Sequence, residues 1–159
     1  NGAFYNHFDD KEALFGALVE PVVQEVKAIY EASVNEHMEL AKTDDLKSLW
    51  KLSEETLKVI IEYIYEHFDI FKLVFCCSEG STYADYMEKL ITIEESAYKA
   101  MLSCESNPVD EFFIHVMCSS GFRELYEVVA HDLSKEKAVQ FMERVKRFRF
   151  AGWREILGR

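Results

Sequence analysis

The sequence predicts an all-α protein with about six helices and short connections, and three observations carry that expectation. Only two prolines and six glycines punctuate 159 residues, too few for the frequent tight turns of an all-β fold. Apolar residues recur at steps of three and four along most of the chain, which is the period of a helix face. The balance of 49% hydrophobic and 30% charged residues, with a mean hydropathy of −0.14, is that of a globular chain. A chain of this length buries about 68–70% of its unfolded surface, so it needs no disulfide or metal staple.

The first helix is expected over residues 10–40. Asp9 and Asp10 are cap candidates, and Leu14, Leu18, Val22, Val26 and Ile29 form the stripe. Pro21 inside it predicts a kink or a break. Thr43-Asp44-Asp45 then caps a second helix whose stripe is Leu46, Leu49, Trp50, Leu57, Ile60, Ile61 and Ile64. From Phe68 to Cys77 the apolar residues fall on every side, so a short segment buried all round is expected, ended by Gly80. Thr82 with Asp85 reads as a capping pair for a helix carrying Tyr86, Leu90, Ile93, Ala97 and Met101. Asn107-Pro108 followed by Asp110 and Glu111 is the clearest helix start in the chain. That helix is apolar on two faces, Phe112, His115, Ser119, Phe122 and Tyr126 on one, Phe113, Val116, Met117, Ser120 and Gly121 on the other. Ser134 caps a last helix with Ala138, Phe141, Val145, Phe148, Gly152 and Ile156.

The last two helices carry more apolar surface than one small bundle needs. A two-fold axis would let them form a four-helix bundle with their copies. A homodimer is therefore expected, with Phe113, Met117, Ser120, Gly121, Phe141, Val145 and Phe148 at its interface. The alternative is that both faces are used within one chain.

Charge and cysteine usage narrow the function classes. The net charge is −11. Residues 134–159 hold eight basic and three acidic side chains, a net +5, which leaves −16 on residues 1–133. An acidic body argues against a broad nucleic-acid surface on this portion. The basic tail reads either as a nucleic-acid patch or as an exposed helix face, and its helical recurrence of apolar residues favours the second. No apolar run reaches the ~18 residues of a membrane span. Asp9, Asp10 and Lys11 stand where a secretory signal would be apolar, so a reduced cytoplasmic setting is expected. Cys76, Cys77, Cys104 and Cys118 show no C-x-x-C spacing. The vicinal Cys76–Cys77 pair reads as buried inert cysteine, with a thiol sensor as the alternative.

No enzyme chemistry is legible. None of His7, His37, His67, His115 and His131 has Glu three residues before it, and there is no H-E-x-x-H, G-x-S-x-G or phosphate-binding glycine loop. His115 and Cys118 lie three apart, but two ligands do not make a metal site. No catalytic residue, metal or cofactor is expected.

The opening stretch is the most specific part of the sequence. Gly2-Ala3-Phe4-Tyr5-Asn6-His7-Phe8, then Lys11-Glu12-Ala13-Leu14, resembles the end of the helix-turn-helix and the start of the long fourth helix in the TetR family of bacterial transcriptional regulators. The match lies at Gly2, Phe4, Tyr5, His7, Phe8, Lys11, Glu12 and Leu14. The closing Arg149-Phe150-Ala151-Gly152-Trp153-Arg154 is similar to the end of many such regulators. The resemblance implies a TetR-like bundle with residues 1–14 as the remnant of a DNA-binding domain and 15–159 as a ligand-binding and dimerisation domain. The family's first two helices are absent, so the native protein is expected to be longer by about forty to fifty residues.

The resemblance also implies roles. Gly2 and Ala3 permit close approach to the duplex, while Tyr5, Asn6, His7 and Lys11 meet DNA, Tyr5 and His7 as donors to phosphate oxygens. Phe4 and Phe8 would hold the small domain together. A homodimer would present two recognition helices to a two-fold operator, and a small apolar or aromatic effector in the core would shift the linking helix and lower DNA affinity. Trp50, Phe71, Phe75, Tyr86, Met87, His115 and Phe122 are the candidate ligand contacts, with plain core packing as the alternative for each. A different class stays open: a dimeric, all-helical interaction module with no DNA or ligand role.

Overall fold

The computed structural model describes residues 8–43, 45–102 and 108–156. Gly2, Ala3, Tyr5, Asn6 and His7, with Cys104 and Asn107, lie outside the described residues. Six helices follow one another: α1 (Lys11–Ala41), α2 (Leu46–Glu66), α3 (Phe68–Cys76), α4 (Tyr86–Leu102), α5 (Pro108–Ala130) and α6 (Lys135–Ile156). Among the described residues there is no strand, and no helix is long and apolar enough to cross a membrane.

The caps follow the local chemistry. The Asp10 carboxylate accepts from the Ala13 amide at 2.8 Å, occupying one of the orphan donors at the start of α1. Asp45 accepts from the Lys47 and Ser48 amides, both at 3.1 Å, at the start of α2. Gly80 takes φ +80°, a left-handed conformation that needs no Cβ penalty. Asp132 plays the same part after α5 at φ 50°. The amide that follows it, on Leu133, reaches back to the Val128 carbonyl at 3.1 Å, closing the helix end.

Three local expectations are corrected. α1 runs its 31 residues uninterrupted across Pro21, which is exposed and marks no break. Its buried face is Val19, Val22, Val23 and Val26, turned from the expected stripe, so that Leu18 is exposed. Thr82 caps nothing: its amide and hydroxyl both donate to Glu12 Oε1, at 2.8 and 2.9 Å, tying the α3–α4 loop to the start of α1.

The core is continuous. Val19, Val22, Val23 and Val26 meet Ile60 and Ile64 of α2, Phe71 and Val74 of α3, Leu90 and Ile91 of α4, and Ile114, Cys118 and Phe122 of α5. The Tyr86 hydroxyl donates to the Val23 carbonyl at 3.0 Å and pins α4 to α1. A smaller cluster, Ile61, Val128, Ala138 and Met142, seats the first half of α6 on α2 and α5. Tyr65 donates to the Leu133 carbonyl at 2.6 Å beside it, and Lys135 pairs with Glu62. α1 and α4 thus lie at the centre, with α2 and α5 flanking them, α3 closing one side and α6 laid across α2.

A candidate ligand cavity under the last helix

The second half of α6 does not pack flat on the bundle. Large side chains prop it away from α2, α4 and α5, leaving a cavity of about 300 Å³. Trp50 of α2 meets Phe150 of α6 edge-on at 4.4 Å between ring centres. Tyr98 of α4 stacks on Trp153 at 4.7 Å, and Phe113 of α5 meets the same indole at 5.6 Å. The walls come from α1 (Tyr30, Ser33, Val34, His37), α2 (Trp50, Ser53, Thr56, Leu57, Ile60), α4 (Glu94, Ala97, Tyr98), α5 (Gly121, Phe122, Glu124, Leu125) and α6 (Met142, Val145, Lys146, Arg149, Phe150, Trp153). The size and the mixture of aromatic walls with a few polar groups fit a small-molecule site.

Arg149 holds α6 in place. Its Nε and Nη2 donate to the two Glu124 carboxylate oxygens at 2.9 and 3.0 Å, a fork-to-fork pair. Nη1 donates to the Met117 carbonyl at 2.9 Å and Nη2 to Ser120 Oγ at 2.7 Å.

At the α1–α2 end lies a chain of hydroxyls around His37. His37 Nδ1 is 2.8 Å from the Ser33 carbonyl, so in the neutral ring Nδ1–H donates there and Nε2 is the acceptor. The Ser53 hydroxyl lies 2.8 Å from Nε2 and 2.9 Å from the Leu49 carbonyl, one proton for two acceptors. Ser33 and Thr56 hydroxyls are 2.8 Å apart. Burial lowers the His37 pKa, so the ring is neutral at pH 7.

At the α4 end stands Glu94. Burial, reinforced by the nearby Glu124 and Glu95 carboxylates, pushes its pKa up to about 7, against the Tyr30 hydrogen bond and the Arg149 charge, which pull it down. The Tyr30 hydroxyl is itself held well above its usual value by burial and by Glu94. Lys146 lines the opposite part of the cavity, 4.2 Å from the Trp50 ring centre as a cation–π contact.

Of the seven candidate ligand contacts read from the sequence, Trp50 and Phe122 line this cavity. Phe71 is sealed in the core and Phe75 packs on it and on Tyr126. Tyr86 is buried with its hydroxyl on Val23, and Met87 packs against the same cluster. His115 is exposed, its Nδ1 2.6 Å from Glu95 Oε1. The α3 aromatics fill the far side of the bundle, so they supply core and not cavity. The missed residues had a signal. Tyr30, Ser33, Val34 and His37 follow the i, i+3, i+4, i+7 spacing of a buried helix face, and Trp50, Ser53, Leu57 and Ile60 step by three, four and three along another. Polar residues at core spacing mark a wall that faces a space.

The candidate dimer residues divide in the same way. Phe113 meets Trp153, the Met117 carbonyl and Ser120 hold Arg149, and Gly121 and Val145 line the cavity. These five face their own chain. Phe141 and Phe148 are exposed, and so are Phe112 and Val116 of α5 and Ile156 of α6.

The cysteine expectation is also corrected. α3 ends at Cys76 and Cys77 caps it, so both lie at the helix end, exposed rather than buried. Cys118 is buried, and burial holds its thiol protonated. His115 is exposed while Cys118 is buried, and among the described residues no group of three or more His, Cys, Asp or Glu is placed to hold a metal ion. Lys11 is exposed at the first turn of α1.

Comparison with known protein families, with curated proteins and with solved structures finds no match for this chain.

Proposed function

We propose that this chain is the regulatory part of a ligand-responsive, DNA-binding transcriptional regulator of TetR-like organisation, which works as a homodimer and takes a small aromatic effector in the cavity under α6. One observation carries the reading. α1 begins three residues after the Gly2–Phe8 motif and supplies Tyr30, Ser33, Val34 and His37 to the cavity wall. A single helix of 31 residues, about 46 Å at 1.5 Å per residue, therefore joins the segment that resembles a recognition helix to the candidate effector site. An occupant that prefers one position of α1 would shift the DNA-binding end by the same preference. The exposed Phe112, Val116, Phe141 and Phe148 on α5 and α6 support the dimer.

The same exposed residues favour the second reading, a helical interaction module that uses them on another protein. Fluorescence anisotropy separates the two. The protein made from its complete gene is titrated onto DNA from just upstream of that gene, and onto a scrambled fragment, at two salt concentrations. The regulator reading expects saturable binding that beats the scrambled fragment by about a thousandfold or more at physiological salt. Binding that is equal on both fragments and vanishes with salt is phosphate attraction alone and would leave the interaction module.

A further inference from the structure

Resting on the effector reading above, we infer that the cavity under α6 selects an aromatic molecule bearing a positively charged amine, with Glu94 as the counter-ion for that amine and the aromatic side chains as the bed for its ring. Three observations carry this. Glu94 is in the cavity wall, yet among the described residues it enters no ion pair, whereas its neighbours are matched: Glu124 with Arg149, and Glu95 with Lys99 and His115. Arg149 is the cation whose charge acts on Glu94, and four of its five donors are already spent on Glu124, Met117 and Ser120. The space beside Glu94 is walled by Tyr30, Tyr98, Phe122 and Trp153, whose ring faces attract a cation and stack on an aromatic ring.

The charges around Glu94 favour a cation over an anion. Glu124 on α5 and Glu95 on α4 add negative potential, and Arg149 on α6 subtracts some. Tyr30 on α1 and Tyr98 on α4 stay protonated, as does Cys118 on α5, and His37 is neutral at pH 7. Lys146 on α6 is the one cation of the wall left to receive an anion. It already lies over Trp50 and beside Glu54, toward the other end of the cavity.

A series on one ring system tests the inference: 1-naphthylmethylamine, 1-naphthylmethanol and 1-naphthylacetate carry a positive, a neutral and a negative head group. Binding is followed by calorimetry, and by quenching of Trp50 and Trp153, the chain's two tryptophans, which both line the cavity. The ammonium compound is expected to bind about ten- to a hundredfold more tightly than the alcohol, the range of a charge-assisted hydrogen bond, and the acetate most weakly. In Glu94→Gln, which keeps shape and the acceptor for Tyr30, the preference over the alcohol is expected to vanish while the alcohol still binds. Glu94→Asp, with a shortened carboxylate, should keep part of it. In the natural chain, lowering the pH from 8 to 5.5 should weaken the amine and leave the alcohol unchanged, because Glu94 gains a proton.

Tightest binding of the acetate, equal binding of all three, no binding of any, or a preference that survives in Glu94→Gln would each overturn the inference. None of these readouts uses DNA. If the amine binds as expected but the complete protein shows no specific DNA binding, the regulator reading fails and the cavity's selectivity stands. The converse result fails the selectivity alone.

Discussion

Phe71→Ala is expected to cost the protein about 3–5 kcal/mol of stability, the range for removing a fully buried aromatic ring. Phe71 is 1% exposed and touches two other rings, Tyr63 edge-on at 6.2 Å and Phe75 at 5.6 Å. It sits on α3, a helix of nine residues whose two buried side chains are Phe71 and Val74. The hole left by alanine would be lined by valines and isoleucines of α1 and α2, which are anchored in long helices and cannot collapse into it. Urea unfolding followed by far-UV circular dichroism measures the loss as a lower midpoint at unchanged slope. A change under 1 kcal/mol would mean that α3 is not part of the cooperative core.

The second large effect is a pH dependence of stability set by Glu94. Its folded pKa, about 7, stands above the 4.5 of an ordinary glutamate because burial penalises the charged form. Below pH 4.5 the carboxyl is protonated in both states and contributes no difference. Between 4.5 and 7 the unfolded chain releases a proton that the folded chain keeps, so this group lowers stability as pH rises. Above 7 the whole penalty is present, about 3 kcal/mol for a shift of this size. Glu94→Gln removes it. The substitution is therefore expected to be near neutral at pH 4.5 and stabilising at pH 8, the gain growing through the window between. Unfolding midpoints of both proteins at several pH values decide this. A substitution whose effect is the same at every pH would mean that folding leaves the Glu94 pKa unchanged.

Helix placement was largely legible in the sequence, because caps and periodicity are local. Asp10, Asp45 and the run into Pro108 stand at the starts of α1, α2 and α5. The rotation of each helix was less legible. Leu18 and Val19 are equally apolar, and only the neighbours on α2 and α4 decide that Val19 is buried and Leu18 is not. The end of α5 was hidden for a different reason. Asp132 takes the left-handed position where glycine is usual.

The cavity was the least legible part. Aromatic residues are the strongest apolar signal, so the α3 run drew the ligand expectation toward Phe71 and Phe75. Whether an aromatic face meets a neighbour or a space depends on how α6 lies, and that is set at long range, by Arg149 reaching Glu124 across 25 positions of sequence. Trp50 and Phe122 face the space, while Tyr86 and Met87 face the packed side of the same bundle. The polar residues at core spacing, Ser33, His37 and Ser53, carried the information instead. The dimer expectation met the same difficulty. Phe113 lies on the face of α5 that turns to its own α6, where the Met117 carbonyl also holds Arg149, and the outward face is Phe112 and Val116.

The central claim is that an occupant of the cavity under α6 alters DNA binding through α1. The most direct test compares the complete protein with a variant whose cavity is filled, Ser53→Phe, on DNA from upstream of its gene, while 1-naphthylmethylamine is added. In the natural protein anisotropy should fall as the amine saturates the cavity, corresponding to about five- to 150-fold weaker DNA binding. The filled variant should not respond, its DNA affinity staying fixed whatever the amine concentration. A DNA affinity in the natural protein that stays constant while tryptophan quenching reports a saturated cavity would contradict the claim.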